Sequence, residues 1–188
     1  MIIIMLEDLI TRLGSAEFHR RAVSAGSWLF YRGDAVRSVF FVVSGEIELL
    51  RHTSSGKPAV LQRATAGSVL AEASLFSDAY HCDAIATQPS QVAQVPRAVM
   101  VELLKRDVAF AATWMTHLAH QIQAARLRSE ILTLKTVSQR LDAWLAFNDG
   151  EFPERGQRIA LARQIGVSPE ALYREFARRK AEDLQYPK

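Results

Sequence analysis

Residues 160–176 read ALARQIGVSPEALYREF, and this stretch decides how the C-terminal third of the chain is organised. Its two halves have the spacing of short helices, and Gly166 between them permits a tight turn of the backbone. Ser168 is a favourable N-cap for the second helix, and Pro169 suits the first position of that helix. The pattern therefore predicts a short helix and a longer helix joined by a tight turn.

The second of these helices has one apolar face and one polar face. Leu172 and Phe176, four residues apart, would pack against the first helix. The residues left facing outward near its N-terminal end are Ser168, Glu170, Tyr173 and Arg174. In a helix-turn-helix this end enters the major groove, where arginine can bind guanine and glutamate can accept from cytosine. We therefore predict that these four residues contact double-stranded DNA.

A basic cluster follows one or two turns later, at Arg178, Arg179 and Lys180. Such residues would contact phosphates and make binding depend on salt, and we include Arg178 among the predicted DNA contacts. The alternative is an ordinary solvated face. Glu170 and Arg174 have a similar alternative, because residues four apart on a helix also form surface ion pairs.

A long helix is predicted upstream, because residues 107–135 contain neither glycine nor proline. Apolar or small residues recur along it in alternating steps of four and three, at Ala111, Met115, Leu118, Ile122, Ala125, Ser129 and Leu132. Steps of this kind place the residues along one seam, which is typical of a helix that pairs with a second copy of itself. We expect a homodimer, and the alternative is a core helix of a monomer.

The sequence before this helix has the pattern of short β-strands. Apolar runs bounded by turn residues occur at 27–31, 39–43, 47–50, 59–63 and 91–95. Their spacing predicts an antiparallel barrel or sandwich. A further helix is expected at Val137–Phe147. We thus expect an α+β chain with a sensor domain at 1–106, a dimerisation helix at 107–136 and a helix-turn-helix domain at 137–188.

Composition narrows the class of protein. Hydrophobic residues make up 49% of the chain and charged residues 23%, which excludes disorder along the whole length. The net charge of +3 and the pI of about 9.2 are compatible with a nucleic-acid partner. The single cysteine, Cys82, excludes an internal disulfide and a structural zinc site built from cysteines.

The sequence contains no pattern typical of a signal peptide, a membrane span or an enzyme. The opening Met1–Leu6 is apolar but has no basic start or cleavage site, so we expect no signal peptide. No run approaches a membrane span, and we expect a cytoplasmic protein without a membrane partner. We also expect no enzyme activity and no cofactor, because no spacing of serine, cysteine, histidine and acidic residues suggests a catalytic arrangement.

In the order of its parts the chain resembles the Crp/Fnr family of bacterial regulators. The resemblance rests on Gly33-Asp34, Ser44-Gly45 and Gly67 in the strand region, and on the Gly-Val-Ser-x-Glu-x-x-x-Arg pattern at 166–174. It implies an N-terminal jelly roll of the cyclic-nucleotide-binding type, a long dimer helix and a winged helix-turn-helix that binds a palindromic operator. It further implies a small-molecule effector and RNA polymerase as partners.

Cyclic-nucleotide binders of this family carry a phosphate cassette, in which a Gly-Glu pair is followed by arginine and then serine or threonine. Here Glu72 matches, but Ala71 replaces the glycine, Cys82 stands at the arginine and Asp83 at the hydroxyl residue. Losing a cation and adding a carboxylate would repel a phosphate, so we expect no tight binding of cyclic AMP. The predicted effector pocket comprises Glu72, Ala73, Ser74, Leu75, Cys82 and Asp83, with Ile122, Ala125 and Arg126 from the long helix.

Two further signals have ordinary alternatives. Cys82 beside His81 could ligate a haem iron or act as a redox-sensitive thiol, or it could be a small buried residue next to a surface histidine. His117 and His120 lie on one helix face at the spacing of a metal pair, but we expect no metal site.

The C-terminus departs from the family pattern. Family members continue past the recognition helix into a β-hairpin wing, whereas residues 181–188 read AEDLQYPK. We expect the wing to be missing or truncated, with DNA affinity that is low or depends on the dimer. The alternative function is a sensor or protein-interaction module in which DNA binding is weakened or lost.

Overall fold

A computed structural model of the chain describes residues 12, 18–52, 56, 58–148, 150–153, 156 and 158–185. The predictions about the opening six residues, and about a wing after residue 185, fall outside this part of the chain. Two compact units, Met1–His117 and Leu118–Lys188, divide the chain. The functional boundaries at 106 and 136 stay predictions.

The described residues of the first unit form two antiparallel four-stranded sheets. The strands are β1 (His19–Val23), β2 (Trp28–Phe30), β3 (Ser38–Ser44), β4 (Glu46–His52), β5 (Pro58–Thr65), β6 (Val69–Leu70), β7 (Asp83–Ala86) and β8 (Ser90–Pro96). One sheet has the order β1-β8-β3-β6 and the other the order β2-β7-β4-β5. The chain therefore crosses between the sheets, as in a β-roll, and the predicted antiparallel β-domain is confirmed.

Apolar side chains from both sheets meet in a core between them. They include Val23, Phe40, Val42, Ile47, Leu49, Ala84, Ala86 and Val92. Phe30 of β2 stacks on Tyr80 with the ring centroids 3.9 Å apart. The buried Tyr80 hydroxyl donates to the carbonyl of Ser38 at 2.9 Å and accepts from its amide at 3.2 Å. An aromatic ring with both hydrogen-bonding roles satisfied thus ties the loop before β7 to β3.

The five strands predicted from the sequence coincide with β2, β3, β4, β5 and β8. The sequence did not indicate β1, β6 and β7. Strand β6 has two residues and β7 has four, which is too short to show a clear alternation. Four of the five residues of β1 are exposed, so no apolar pattern marks it. Pairing with β8, β3 and β4 holds these strands in place.

Helices follow the sheets in the described residues. They are α1 (Arg97–Arg106), α2 (Val108–Thr133), α3 (Val137–Phe147), α4 (Arg158–Gln164) and α5 (Pro169–Gln185). The sequence did not indicate α1 as a separate helix. Asp107 separates it from α2, because its backbone is extended and its Oδ1 accepts from the amide of Phe110 at 2.9 Å. That hydrogen bond, together with one from Arg12, holds the pKa of Asp107 below its usual value.

The second unit has its own core, to which four helices contribute. Its buried members are Ile131, Leu141, Trp144, Leu145, Leu161, Ala162, Ile165 and Leu172. Helix α3 begins with a capping box, in which the Thr136 hydroxyl accepts from the Gln139 amide at 3.1 Å and the Gln139 side chain accepts from the Thr136 amide. None of the helices in the described ranges is both long enough and apolar enough to cross a membrane.

The turn between β3 and β4 requires glycine. Gly45 has φ +87°, and a Cβ on it would lie 2.2 Å from Ser90 Oγ and 2.6 Å from the Pro89 carbonyl oxygen. Gly33 has a similar φ of +91°, but an added Cβ there would meet nothing within 4 Å. We predict that Gly33→Ala lowers the free energy of unfolding by about 1 kcal/mol and Gly45→Ala by about 3 kcal/mol. Denaturant titration measures both, and equal losses would contradict the steric argument.

Candidate effector pocket and candidate nucleic-acid interface

A cavity of about 140 Å³ lies in the first unit beside the short 3-10 turn Glu72–Ser74. Its described lining consists of Phe30, Leu49, Leu61, Gln62, Ala71, Glu72, Ala73, Ser74, His81 and Cys82. The structure thus brings together four of the residues predicted for the effector pocket, namely Glu72, Ala73, Ser74 and Cys82. Their role as an effector site stays a prediction.

Ala71 positions Glu72 at the cavity through an unusual backbone conformation. Its φ of 69° lies in the left-handed region, and it is the one non-glycine residue with positive φ in the described part of the chain. An alanine in this conformation costs about 1 kcal/mol relative to glycine. The backbone geometry therefore explains why glycine suits this position in the cassette that the sequence resembles.

Glu72 has a buried carboxylate oxygen with an unmet hydrogen-bonding capacity. Its Oε2 is buried and accepts no hydrogen bond from any described residue. Burial raises the pKa of Glu72 to about 7, against a smaller opposing effect of its own backbone amide. Near neutral pH, Glu72 therefore exchanges between its protonated and ionised forms.

Cys82 lines the cavity as a neutral thiol. The residue is 2% exposed, and burial raises the pKa of the thiol to about 11, against the opposing charge of Arg51. The thiolate is the form that ligates metals and reacts with oxidants, and burial disfavours it here. This environment favours the small buried residue over the redox-thiol or haem-ligand alternative.

His81 contributes a second polar group to the cavity. Its Nδ1 lies 2.7 Å from the hydroxyl oxygen of Ser74, and its backbone carbonyl accepts from Arg51 Nε at 2.8 Å. Burial lowers the pKa of His81, so the ring is mainly neutral at pH 7. No lysine or arginine is among the described lining residues. The cavity thus has no fixed cation where the family cassette has an arginine.

Two residues of the predicted pocket do not line the cavity. Leu75 is fully buried in the fold, and its carbonyl accepts from Arg97 Nε at 2.9 Å. The Asp83 carboxylate accepts from the backbone amide of Arg32 at 2.8 Å and lies 3.4 Å from His52 Nδ1. With these partners, Asp83 is not part of the described lining, although its charge acts on Cys82.

Three residues of the predicted pocket lie on the long helix, and their role stays a prediction. Ile122, Ala125 and Arg126 are exposed on α2 and belong to the second unit, whereas the described lining belongs to the first. Six lining residues were not in the predicted pocket: Ala71 and His81 from the cassette region, and the four strand residues Phe30, Leu49, Leu61 and Gln62. The four strand residues lie on β2 and on the paired strands β4 and β5. Only Leu61 and Gln62 are neighbours in the sequence, and the four share no motif. Strand pairing is therefore needed to reveal them.

In the described residues, no group of three or more potential metal ligands includes the histidine pair of the long helix. His117 is buried beside Trp114, with their ring centroids 5.9 Å apart. His120 is exposed. The two side chains therefore occupy different environments.

In the second unit, α4 and α5 lie where the sequence predicted two helices joined by a tight turn. Gly166 in the turn has φ +69°, and an added Cβ would lie 2.6 Å from Leu132 Cδ2. The Ser168 hydroxyl caps α5 by accepting from the amide of Ala171 at 3.2 Å. Ser168, Glu170, Tyr173 and Arg174 are all exposed, as expected for a surface that contacts a partner.

Glu170 lies in the first turn of α5, which affects the pKa of its carboxyl group. Its own backbone amide and the Ser168 hydroxyl lower the pKa of Glu170, and the charge of Arg174 adds a smaller effect in the same direction. The carboxylate is therefore ionised at neutral pH and able to accept hydrogen bonds.

Glu175 is a buried acid between the basic residues of α5. It is 9% exposed, and its carboxylate accepts from Arg178 at 2.7 and 3.0 Å and from Arg179 at 2.8 Å. The hydrogen bonds from Arg178, followed by those from Arg179, lower the pKa of Glu175 to about 2. The acid stays ionised over the physiological range.

Arg179 extends this network to α3. Its Nη2 lies 2.7 Å from Asp142 Oδ1 and donates to the backbone carbonyl and the hydroxyl of Ser138. Arg178 and Arg179 therefore have intramolecular roles. Their pairs with Glu175 have helical spacings of three and four residues, whereas the contacts of Arg179 with α3 join residues distant in the sequence, and the pattern did not reveal them. The prediction that Arg178 contacts phosphate remains untested.

The predicted seam of α2 is largely uncovered. Met115 is 62% exposed, Ile122 51% and Leu132 47%. Ala125 and Ser129 are also exposed, and Ala111 and Leu118 are half-buried. Apolar side chains of this size on one helix face are the surface that a second helix would cover.

The chain is similar to a known domain family and to known regulatory proteins. Residues 20–107 match the family of cyclic nucleotide-binding domains. The chain is 25% identical over 130 residues to the cyclic AMP receptor protein of Thermus thermophilus, covering 69% of this chain and 60% of that protein. It is 23% identical over 150 residues to the fumarate and nitrate reduction regulatory protein of Vibrio cholerae, covering 80% and 60%. The chain spans about 60% of the length of the curated relatives it matches.

A solved structure extends the similarity to most of the chain. A candidate cAMP-binding regulatory protein from Silicibacter pomeroyi is 27% identical, covers 92% of this chain and 84% of its own, and superposes with a TM-score of 0.58. The sheets and helices described above are thus similar to those of this candidate regulatory protein.

The Glu175 network generates a prediction about acid stability. Because the folded-state pKa of Glu175 is depressed to about 2, its stabilisation is present above the unfolded value near 4.5 and is lost as pH falls through 2. We predict that Glu175→Gln lowers the free energy of unfolding at pH 7 by about 2 kcal/mol and flattens its decline between pH 5 and pH 2. Glu151→Gln, at an exposed site in the same unit, serves as the control in urea titrations. An unchanged acid limb in Glu175→Gln would refute this assignment.

Proposed function

We propose that the chain is a Crp/Fnr-like transcription regulator that binds DNA as a homodimer, because residues 20–107 match the family of cyclic nucleotide-binding domains. The observation that carries the proposal is the exposed N-terminal end of α5, with Ser168, Glu170, Tyr173 and Arg174 available to base edges. Arg178 is proposed to contact the phosphate backbone nearby. The regulatory names of the relatives support this role, and enzyme activity is not part of it.

The packing behind α5 supports a role for this helix in contacting the edges of DNA bases. Leu172 is fully buried and Phe176 packs against the same core, so the opposite face of α5 is directed outward. The Glu175–Arg179 network holds α5 against α3. A helix held in this way presents its polar residues in a constant arrangement, which base recognition needs.

The exposed seam of α2 supports a homodimer. A dimer holds two reading helices at one separation, and a palindromic operator matches the resulting two-fold symmetry. RNA polymerase is a further partner that the resemblance implies.

We propose that the effector is not cyclic AMP. The described lining of the cavity lacks a lysine or arginine to neutralise a cyclic phosphate, and Cys82 there is a neutral thiol.

The dimer is tested on the exposed seam. Ile122→Glu places a charge where a partner helix would exclude water, so we predict that it shifts the protein from dimer to monomer. Gln123→Glu adds the same charge at the neighbouring exposed position off the seam, and we expect it to stay dimeric. Sedimentation velocity at micromolar protein measures the difference. A monomeric wild-type protein at these concentrations would exclude the dimer.

DNA recognition is tested without knowing the operator. Selection from a random duplex library should enrich a palindrome with half-sites about one helical turn apart, protected in a footprint at low salt. We predict that Arg174→Ala weakens binding to the enriched site by about tenfold or more, because a bidentate arginine–guanine contact is lost. Arg20→Ala removes the same charge from exposed β1 and should change affinity by less than about twofold. No enrichment, or equal effects of the two variants, would reject the proposal.

A further inference from the structure

The cavity beside Glu72 contains a hydrogen-bond acceptor that the described protein does not satisfy. The Oε2 atom of Glu72 is buried and has no hydrogen-bond partner among the described residues. Leaving a buried acceptor unmatched opposes folding, and more so when the group is charged. A ligand that brings an N–H donor to this oxygen would offset that cost on binding.

The charges around the cavity favour a cation over an anion. The described lining holds the carboxyl of Glu72, the neutral thiol of Cys82 and the mainly neutral ring of His81, with no lysine or arginine. Arg51 and Asp83, outside the described lining, act on Cys82 with opposite sign, and the effect of Arg51 is the larger. Within the described lining, the one carboxylate is that of Glu72, which is negative when it ionises.

The size of the cavity limits the ligand to a small molecule. Its volume is about 140 Å³. An apolar cavity of roughly 150 Å³ in a protein holds one benzene molecule, so this cavity encloses about six non-hydrogen atoms. Phe30, Leu49 and Leu61 contribute apolar surface to the lining, whereas Glu72 contributes a polar group. A ligand that fits has one polar end and a short apolar body.

We propose that this cavity binds a small primary amine, whose ammonium group donates to the Glu72 carboxylate and whose apolar chain lies against Phe30, Leu49 and Leu61. The inference rests on the proposed function, because it names the ligand class of the sensor domain. An ammonium ion paired with a buried carboxylate satisfies Oε2 and neutralises the charge in the same step.

The test uses three probes of the same chain length that differ in the head group: butylamine, butyrate and 1-butanol. Isothermal titration of the full chain at pH 8 measures each affinity. We expect butylamine to bind about tenfold or more tightly than butanol, because it forms a charge-assisted hydrogen bond. Butyrate should bind more weakly than butanol, since two carboxylates repel.

Matched variants assign the preference to Glu72. Glu72→Gln keeps the shape of the side chain and removes its charge, and it should reduce the affinity for butylamine to that for butanol. Glu48→Gln is the control, because Glu48 pairs with Arg63 at 2.7 Å and is not part of the described lining. Should Glu72→Gln fail to fold, the comparison of the three probes on the wild-type protein still decides the matter.

The pH dependence gives an independent readout. Glu72 titrates near pH 7 while butylamine stays protonated, so affinity for the amine should rise from pH 6 to pH 8. Affinity for butanol should not rise. The other titratable groups of the described lining are His81 and Cys82, and the charges of Arg51 and Asp83 act on Cys82. His81→Gln should retain the rise.

The outcomes separate this inference from the proposed function. Butyrate or butanol binding as tightly as butylamine, or no binding of any of the three, would overturn the amine site. If operator selection then still depends on Arg174, the ligand inference fails alone. Amine preference without operator enrichment would overturn DNA binding while the amine site stands.

Discussion

The guanidinium of Arg140 connects three parts of the second unit through backbone carbonyl groups. It donates to Leu132 and Leu134 at the end of α2, and to Ile165 and Gly166 at the turn between α4 and α5. The last carbonyls of a helix lack partners within it and carry partial negative charge. The half-buried Arg140 therefore donates to carbonyl groups at two helix ends at once. These hydrogen bonds keep the turn before α5 in position relative to the end of α2.

Charge is used in opposite ways in the two units. In the second unit, Glu175 is ionised because Arg178 and Arg179 donate to it, and the network helps to hold α5 against α3. In the first unit, Glu72 is also a carboxylic acid, but no arginine among the described residues donates to its Oε2, and burial raises its pKa to about 7. The first arrangement stabilises a structure, and the second leaves a carboxyl ready to respond to a ligand or to pH.

The departures from the family cassette acquire a physical meaning in the fold. Ala71 holds a left-handed conformation that glycine adopts without cost, so the exchange retains the turn at a small expense in stability. Cys82 occupies the cavity wall as a neutral thiol, and Asp83 is directed to Arg32 and His52 instead of the cavity. The β-roll therefore accommodates the exchanged residues, of which Ala71 and Cys82 are themselves buried in its core.

Local patterns in the sequence were sufficient to predict most strands, the helices from α2 onward, the turn at Gly166 and the residues exposed on α5. These features depend on backbone preference and on spacing within one element. The break at Asp107, the lining from β2, β4 and β5, and the contacts of Arg179 with Ser138 and Asp142 of α3 were decided only by the tertiary structure. They depend on cross-strand register, on helix capping and on which charges lie close in space, and single-sequence spacing does not encode those distances.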